Sequence, residues 1–421
     1  MTTAQAATPD GPILTADGTP LKAGLQKSLR RSKLRAMGLV AGPLLFLLIL
    51  FIIPIGNMLT RSVDDSLVNK VLPTTFEAFA AWDKTSEPPE ALYAAFVADV
   101  LAADKLDVGK TSTRMNYAKP GWKSLVKRTA RKIKRIKGPP YKDELIKLDK
   151  RWADASFWLS LGIMKDKRTL GYFLNSVDRT YDFDKNIISV DEERKVYNLL
   201  WYRTLLVSLM VTIACLILSY PVAYLLATLP MRISNLLMIC VLMPFWTSLL
   251  VRIVAWMIML QQNGVVNDSL VAIGLLDDDN RLAMMYNFNG TVIVMTQILL
   301  PFMILPLYSV MKTIPPTYMK AAQNLGATPT LAFIRVYMPQ TIPGIGAGCI
   351  LVFIVAIGYY ITPELVGGKD GRLIGNMVAY HMQRSLNWGL AAAMGSILLV
   401  TILFLYWLYD KIIGIDNMKM G

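Results

Sequence analysis

The stretch Tyr318-Met-Lys-Ala-Ala-Gln-Asn-Leu-Gly326-Ala-Thr-Pro-Thr-Leu-Ala-Phe-Ile-Arg-Val-Tyr-Met-Pro339 decides how the rest of the chain reads. Ala321 and Ala322 suit a short helix with a thin face, and Gly326 can take the positive φ of a backbone reversal. Thr328 before Pro329 is an N-cap and first-turn pair that starts a second short helix. The expected object is a helix-turn-helix knob. On both sides the sequence turns apolar, over residues 289–311 before it and 342–361 after it, each about the 20 residues a bilayer crossing requires. A plain hairpin between two spans is the simpler alternative.

The same ruler picks out residues 36–58, 204–228, 235–260 and 388–409, about six spans in all. With 54% hydrophobic and 18% charged residues among 421, the chain is too apolar for an ordinary soluble enzyme. Its net charge of +14 suits nucleic acid on paper, yet basic residues beside apolar segments also fix orientation in a membrane. Residues 1–35, with Arg30, Arg31, Lys33 and Arg35, read as a cytoplasmic tail without a signal-peptide cleavage site. Counting passes from there puts Met231 and Arg232, the loop 312–341 and the tail 411–421 in the cytoplasm, and Lys312, Lys320, Arg335, Lys411 and Lys419 agree.

Residues 59–199 fall outside by the same count and form a stretch of about 140 residues, enough for a small domain. Its basic run, Lys127, Arg128, Arg131, Lys132, Lys134, Arg135 and Lys137, does not veto that placement, because long domains translocate largely regardless of charge. Helical spacing of Leu125, Ile133 and Ile136 suggests an amphipathic basic helix, either a solvated face or one lying on anionic lipid. Trp82, Trp122, Trp152, Phe157 and Trp158 are the material of a small core. Cys215, Cys240 and Cys349 sit in apolar runs without metal or redox spacing.

The opening stretch resembles the coupling loop of ATP-binding-cassette importer permeases, in which Glu-Ala-Ala is followed by three residues, Gly, nine residues, Ile, any residue and Leu-Pro. Ala321, Ala322, Gly326 and Pro339 match at that spacing, Val336 and Met338 are conservative variants, and Lys320 replaces the acid. Residues 200–410 resemble the spermidine and putrescine branch through Pro244-Phe-Trp-Thr-Ser-Leu-Leu-Val-Arg-Ile-Val-Ala-Trp256, Pro301-Phe-Met-Ile-Leu-Pro-Leu-Tyr308 and Thr362-Pro-Glu-Leu-Val-Gly-Gly368. The resemblance implies an all-α membrane protein: a six-transmembrane-helix, type I importer bundle with a large extracytoplasmic insertion between helices 1 and 2. It implies a non-catalytic inner-membrane subunit that works with a cytoplasmic ATPase dimer, a second permease and a periplasmic solute-binding protein. ATP and Mg would belong to the ATPase and none to this chain. The insertion would be a docking platform, by analogy with the outer domain of the maltose permease, or a passive cap.

Two groups are candidates for the substrate pathway. An Arg inside a span costs about 2.5 to 3.5 kcal/mol on insertion scales and normally faces a bundle interior or cavity, which singles out Arg252. Trp246 and Trp256 flank it, and Pro244, Thr247 and Ser248 would loosen the helix there. Snorkelling by Arg252 and an interfacial belt of Trp are the alternatives. The second group is Tyr359, Tyr360 and Glu364, whose rings and carboxylate suit amines, sugars or opine-like conjugates. In the polyamine branch an aspartate often stands where Tyr359 stands. Glu364 has a plainer role as an interfacial pairing group.

Gly109-Lys110-Thr111 lacks the upstream glycine of a phosphate loop, Gly367-Gly-Lys369 lacks the hydroxyl, and His381 has no ligating neighbours in sequence. The expected function is therefore import of a small organic solute, polyamine-like or opine/amine-like, across the inner membrane, with lipid as the surrounding partner and no nucleic acid. An ion-coupled secondary transporter would explain the spans but not the 321–339 spacing. A membrane-anchored interaction protein would use the basic run instead.

Overall fold

A computed structural model describes residues 21–136 and 138–413; Lys137, Lys419 and the ends of both tails lie outside the described residues. The chain forms two compact units, Met1–Thr60 and Arg61–Gly421. In the first, α1 (Leu21–Leu47) runs through a π-helical turn (Leu48–Ile52) into α2 (Ile53–Arg61). Its portion Ser32–Arg61, 30 residues, is long and apolar enough to cross a bilayer.

The second unit opens with short helices: α3 (Ser66–Val71), α4 (Pro73–Ala81), α5 (Glu90–Ala102), α6 (Lys105–Ala118), α7 (Trp122–Lys132), α8 (Tyr141–Leu148), α9 (Ala155–Leu159) and α10 (Gly171–Asn175). Too short to be stable alone, they are held by a shared core to which α5 gives Leu92, Tyr93, Phe96, Val97 and Val100 on one face. Trp122, Trp152 and Trp158 are fully buried at its centre, with Trp82 and Phe157 beside them. Each central indole N–H has a partner: Trp122 donates to Ser160 Oγ at 2.7 Å, Trp152 to Thr129 Oγ1 at 3.0 Å and Trp158 to the Trp152 carbonyl at 3.2 Å. That satisfaction lets such large amphipathic rings be buried without an orphaned donor. The amphipathic basic helix is α7; its apolar face, including Leu125, enters this core, as does the following Ile133, while Ile136 packs against it. A two-stranded antiparallel ribbon, β1 (Arg179–Tyr181) with β2 (Ile187–Ser189), follows.

The apolar half comprises α11 (Tyr197–Thr228), α12 (Met231–Leu242), α13 (Leu249–Met259), α14 (Val265–Ala272), α15 (Phe288–Thr313), α16 (Thr317–Asn324), α17 (Pro329–Ala332), α18 (Met338–Gln340), α19 (Ile342–Ile357), α20 (Ile361–Val366), α21 (Ile374–Gln383) and α22 (Trp388–Ile413). Val207, Val211 and Cys215 of α11 pack with Val294, Ile298 and Met303 of α15 and with Val352 and Ala356 of α19. Across the described residues four helices are long and apolar enough to cross a membrane, or up to six if each of two bent pairs counts as one span.

The run 235–260, expected as one span, is not a single straight helix. Met231–Trp246 and Leu249–Met259 meet at 98°. Pro244 withholds an N–H, and Thr247 and Ser248 adopt extended backbone with ψ of 145° and 138°, so the ladder of hydrogen bonds stops between them. Likewise the apolar run 342–361 is helical only to Ile357, after which Gly358 and Tyr359 lead to a new helix at Ile361. Pro329–Gln340 joins Ile342–Ile357 at 59°.

The short-helix half is fastened to the apolar half by named bonds. Asp178 accepts from the backbone N–H groups of Val196, Tyr197 and Asn198 at 3.0, 3.0 and 2.7 Å, capping α11 and complementing its dipole. Asp65, buried, takes a bidentate pair from Arg114 at 2.6 and 2.5 Å and a bond from the Tyr172 hydroxyl at 3.2 Å. Tyr172 in turn packs against Gly389 of α22, where a Cβ would come within 2.5 Å of the ring, so only glycine permits the approach.

Candidate functional site

The knob expected at 318–339 is present. Helix α16 ends in a Schellman arrangement: the Ala327 N–H donates to the Ala322 carbonyl at 3.1 Å and the Gly326 N–H to the Gln323 carbonyl at 2.9 Å. Gly326 sits at φ +94°, and nothing lies within 4 Å of where its Cβ would be, so backbone conformation and not space demands glycine. Thr328 then caps α17, its Oγ1 accepting from the Leu331 N–H at 3.4 Å, with Pro329 in the first turn. Lys320, Ala321, Gly326 and Pro339 are exposed and Ala322 is half-buried. The apex is Leu325, 90% exposed.

The foot of the knob is aromatic. Phe333 and Tyr337 stack at 5.5 Å in a π-helical turn, and Tyr220 and Tyr224 of α11 meet them edge-on at 5.3 to 6.2 Å. The Tyr220 hydroxyl is 3.2 Å from Thr341 Oγ1, and Lys312 Nζ donates to the Ala227 carbonyl at 3.4 Å. The knob is thus tied to the end of a membrane helix by side chains whose rings individually carry only ~1 kcal/mol of preference but together hold its angle. The exposed Leu325 and this aromatic foot escaped the sequence reading. A Leu before a capping Gly marks the turn, but its exposure depends on the fold.

Of the substrate candidates, the fold joins some and separates others. Arg252 and Trp256 share one face of α13, four residues apart, and α13 packs against α20. The Trp256 indole N–H donates to Gln297 Oε1 of α15 at 3.0 Å. Arg252 Nε is buried with no hydrogen-bond partner among the described residues, and Tyr359 lies in the turn that leads from α19 to α20, the helix against which α13 packs. Tyr360 precedes α20 and is 40% exposed. Glu364 is exposed on α20, where Asn376 Nδ2 donates to its Oε2 at 3.0 Å and to the Tyr360 carbonyl at 2.9 Å. Trp246, 76% exposed, and Thr247 belong to the bend, on the far side of the break from the helix that carries Arg252. Gln297 and Asn376 were missed because neutral amides carry no spacing signal.

Residues 218–413 match the family described as binding-protein-dependent transport system inner membrane component. The spermidine/putrescine transport system permease protein PotB of Escherichia coli K12 is 34% identical over 239 residues, covering 55% of this chain and 86% of that protein. The inner membrane ABC transporter permease protein YdcU of the same organism is 34% identical over 255 residues, 56% of this chain and 80% of that protein. A bacterial alginate ABC transporter, crystallised with an alginate pentasaccharide-bound periplasmic protein, has a chain alike at TM-score 0.43 and 17% identity, covering 54% of this chain and 81% of that one. With a third of residues identical across most of the length of PotB, the chain belongs to the binding-protein-dependent transport system inner membrane components: it is a non-catalytic, multi-pass inner-membrane permease subunit of an ABC importer.

Proposed function

We propose that the chain is a type I permease of six spans, counting each bent pair as one crossing, with residues 59–199 as an extracytoplasmic docking module and 312–341 as the cytoplasmic coupling loop. Its termini are cytoplasmic. A separate ATPase dimer, carrying ATP and Mg, grips the knob, a second permease supplies the matching knob, and a periplasmic solute-binding protein delivers the solute. The observation that carries this reading is the knob itself: an exposed helix-turn-helix with Leu325 at its tip and Lys320, Ala321, Ala322, Gly326 and Pro339 setting its shape. ATP-driven closure of the ATPase would move the knob and, through Phe333 and Tyr337, α11, shifting the bundle between two access states.

For the solute, the polyamine named for PotB is one candidate and an amine that also carries a carboxylate, opine-like, is the other. The second fits better. Arg252 brings an unpartnered cationic donor on the face of α13 that also carries Trp256, with α13 packed against α20, whereas the carboxylate of α20, Glu364, is exposed and engaged by Asn376. A purely cationic solute would meet Arg252 without compensation; a zwitterion would be held at its acid by Arg252 and at its amine by the rings of Tyr359, Tyr360 and Trp256.

The coupling reading is tested by grading the backbone at residue 326. Gly326→Asn, which tolerates positive φ, retains most uptake, while Gly326→Val, which strains that conformation by about 1–2 kcal/mol, abolishes uptake with the protein still in the membrane. Normal uptake by the Val variant would overturn the assignment. Melting shifts of the cognate binding protein against spermidine, putrescine and opines decide the solute class.

A further inference from the structure

Helix α7 carries a row of cations that its core does not use. Trp122, Leu125, Val126 and Thr129 face inward and are buried. Lys123, Lys127, Arg131 and, in the turn that follows, Lys134 recur at spacings of four, four and three, and all line one cleft of about 1650 Å³. Lys105 and Arg384 extend the same lining. Three carboxylates line the cleft against a larger number of cations: Asp65 is held by Arg114, Asp64 Oδ1 accepts from the Ser66 N–H at 3.0 Å, and Asp104, at the start of α6, forms no ion pair with the row of four among the described residues. Arg128, beside Lys127 but outside this lining, pairs with Asp149 at 3.3 Å. Among the described residues the row of four forms no ion pair. Like charges four apart on a helix repel, so the arrangement opposes folding unless an anion completes it.

The rim of the cleft is apolar. Leu101, Leu106 and Leu386 are 52%, 63% and 60% exposed. Trp388, the first residue of the candidate span Trp388–Lys411, lies there too, under the Arg61 guanidinium at 5.7 Å. The cleft therefore opens where a membrane helix meets water, at the depth of phospholipid headgroups, where Trp residues gather. A solvated helix face would explain the lysines but not three exposed leucines beside them. An acidic protein loop would neutralise the lysines and leave the leucines wet.

We propose that this cleft binds the phosphate headgroup of an anionic phospholipid, its glycerol stem and upper acyl chain resting on the leucine rim. The assembled transporter, purified in mild detergent and offered equal phosphatidylglycerol and phosphatidylcholine, is expected to retain phosphatidylglycerol preferentially by native mass spectrometry. Joint Lys123→Gln, Lys127→Gln, Arg131→Gln and Lys134→Gln should cut that preference about tenfold or more, while Arg128→Gln with Lys147→Gln should leave it intact. In the native protein, phosphatidylglycerol brominated high on its acyl chains should quench the emission component lost in Trp388→Phe, more than brominated phosphatidylcholine does, which covers failure of the quadruple variant to fold. Equal retention of both lipids, an unchanged preference in a folded quadruple variant, or equal quenching overturns the proposal. So does displacement of the lipid by millimolar inorganic phosphate, which would mark a free-anion site. Loss of binding-protein-stimulated ATP hydrolysis with lipid preference unchanged would assign the cleft to the binding protein instead.

Discussion

At the scale of single residues, the side chains with the most to say are those whose chemistry permits few roles. Arg252 is one, because a guanidinium with a buried, unpartnered Nε inside an apolar half needs a compensating group. If that group is the solute's carboxylate, Arg252→Gln lowers uptake about tenfold or more, the worth of a charge-assisted hydrogen bond, while binding-protein-stimulated ATP hydrolysis without solute stays unchanged. Unaltered uptake kinetics in the Gln variant would remove Arg252 from the pathway. Arg252, Gly326 and Thr328 were legible in the sequence because an ionised group in a span, a positive φ and a helix cap each demand a particular residue type. Leu325 and Gln297 were not. Leucine is ordinary in an apolar chain, and only the turn places this one at 90% exposure; the Gln297 amide gains meaning only when the fold brings the Trp256 indole to it.

Among the elements, α21 shows how a short helix can be locked by one titratable group. His381, 4% exposed, has its ring nitrogens 2.9 Å from the Tyr197 hydroxyl and 2.7 Å from Ser385 Oγ. Burial pushes its pKa down to about 4 from the usual 6.5. The folded state thus keeps the ring neutral where the unfolded state binds a proton, so this contribution is complete above about pH 6.5 and is lost as pH falls toward 4. The melting temperature of the purified complex should drop between pH 7 and pH 5, and His381→Gln should flatten that drop; equal slopes in both proteins would refute it. Elements overall were legible where one rule sufficed: the long apolar runs became α11, α15 and α22 with boundaries moved by a few residues. The bent pairs were half-legible. Pro244, Thr247 and Ser248 announce weakness in a helix, but an angle of 98° depends on packing against distant partners, here α15 and α20, that no local window contains.

Across the whole molecule, the joint between the short-helix module and the membrane half matters most, and little of it was visible beforehand. Its aromatic core was readable from five large side chains, whereas Asp65, Arg114 and Tyr172 lie up to 107 positions apart and have no shared pattern. Removing one member leaves a buried charge alone, so Asp65→Asn should destabilise the unit by about 3–5 kcal/mol, and adding Arg114→Met should recover most of the loss. Calorimetry of the two variants checks this; equal melting of Asp65→Asn and the native protein would show the pair to be dispensable. The same joint has a mechanical meaning. Asp178 grips the first turn of α11, and Tyr172 lies against Gly389 at the first turn of α22, with no slack linker at either point. If the binding protein docks on the module, as proposed, a push there would arrive as torque on two helices at once, the module acting as a crank handle whose throw is set by the stiffness of one carboxylate and one aromatic ring.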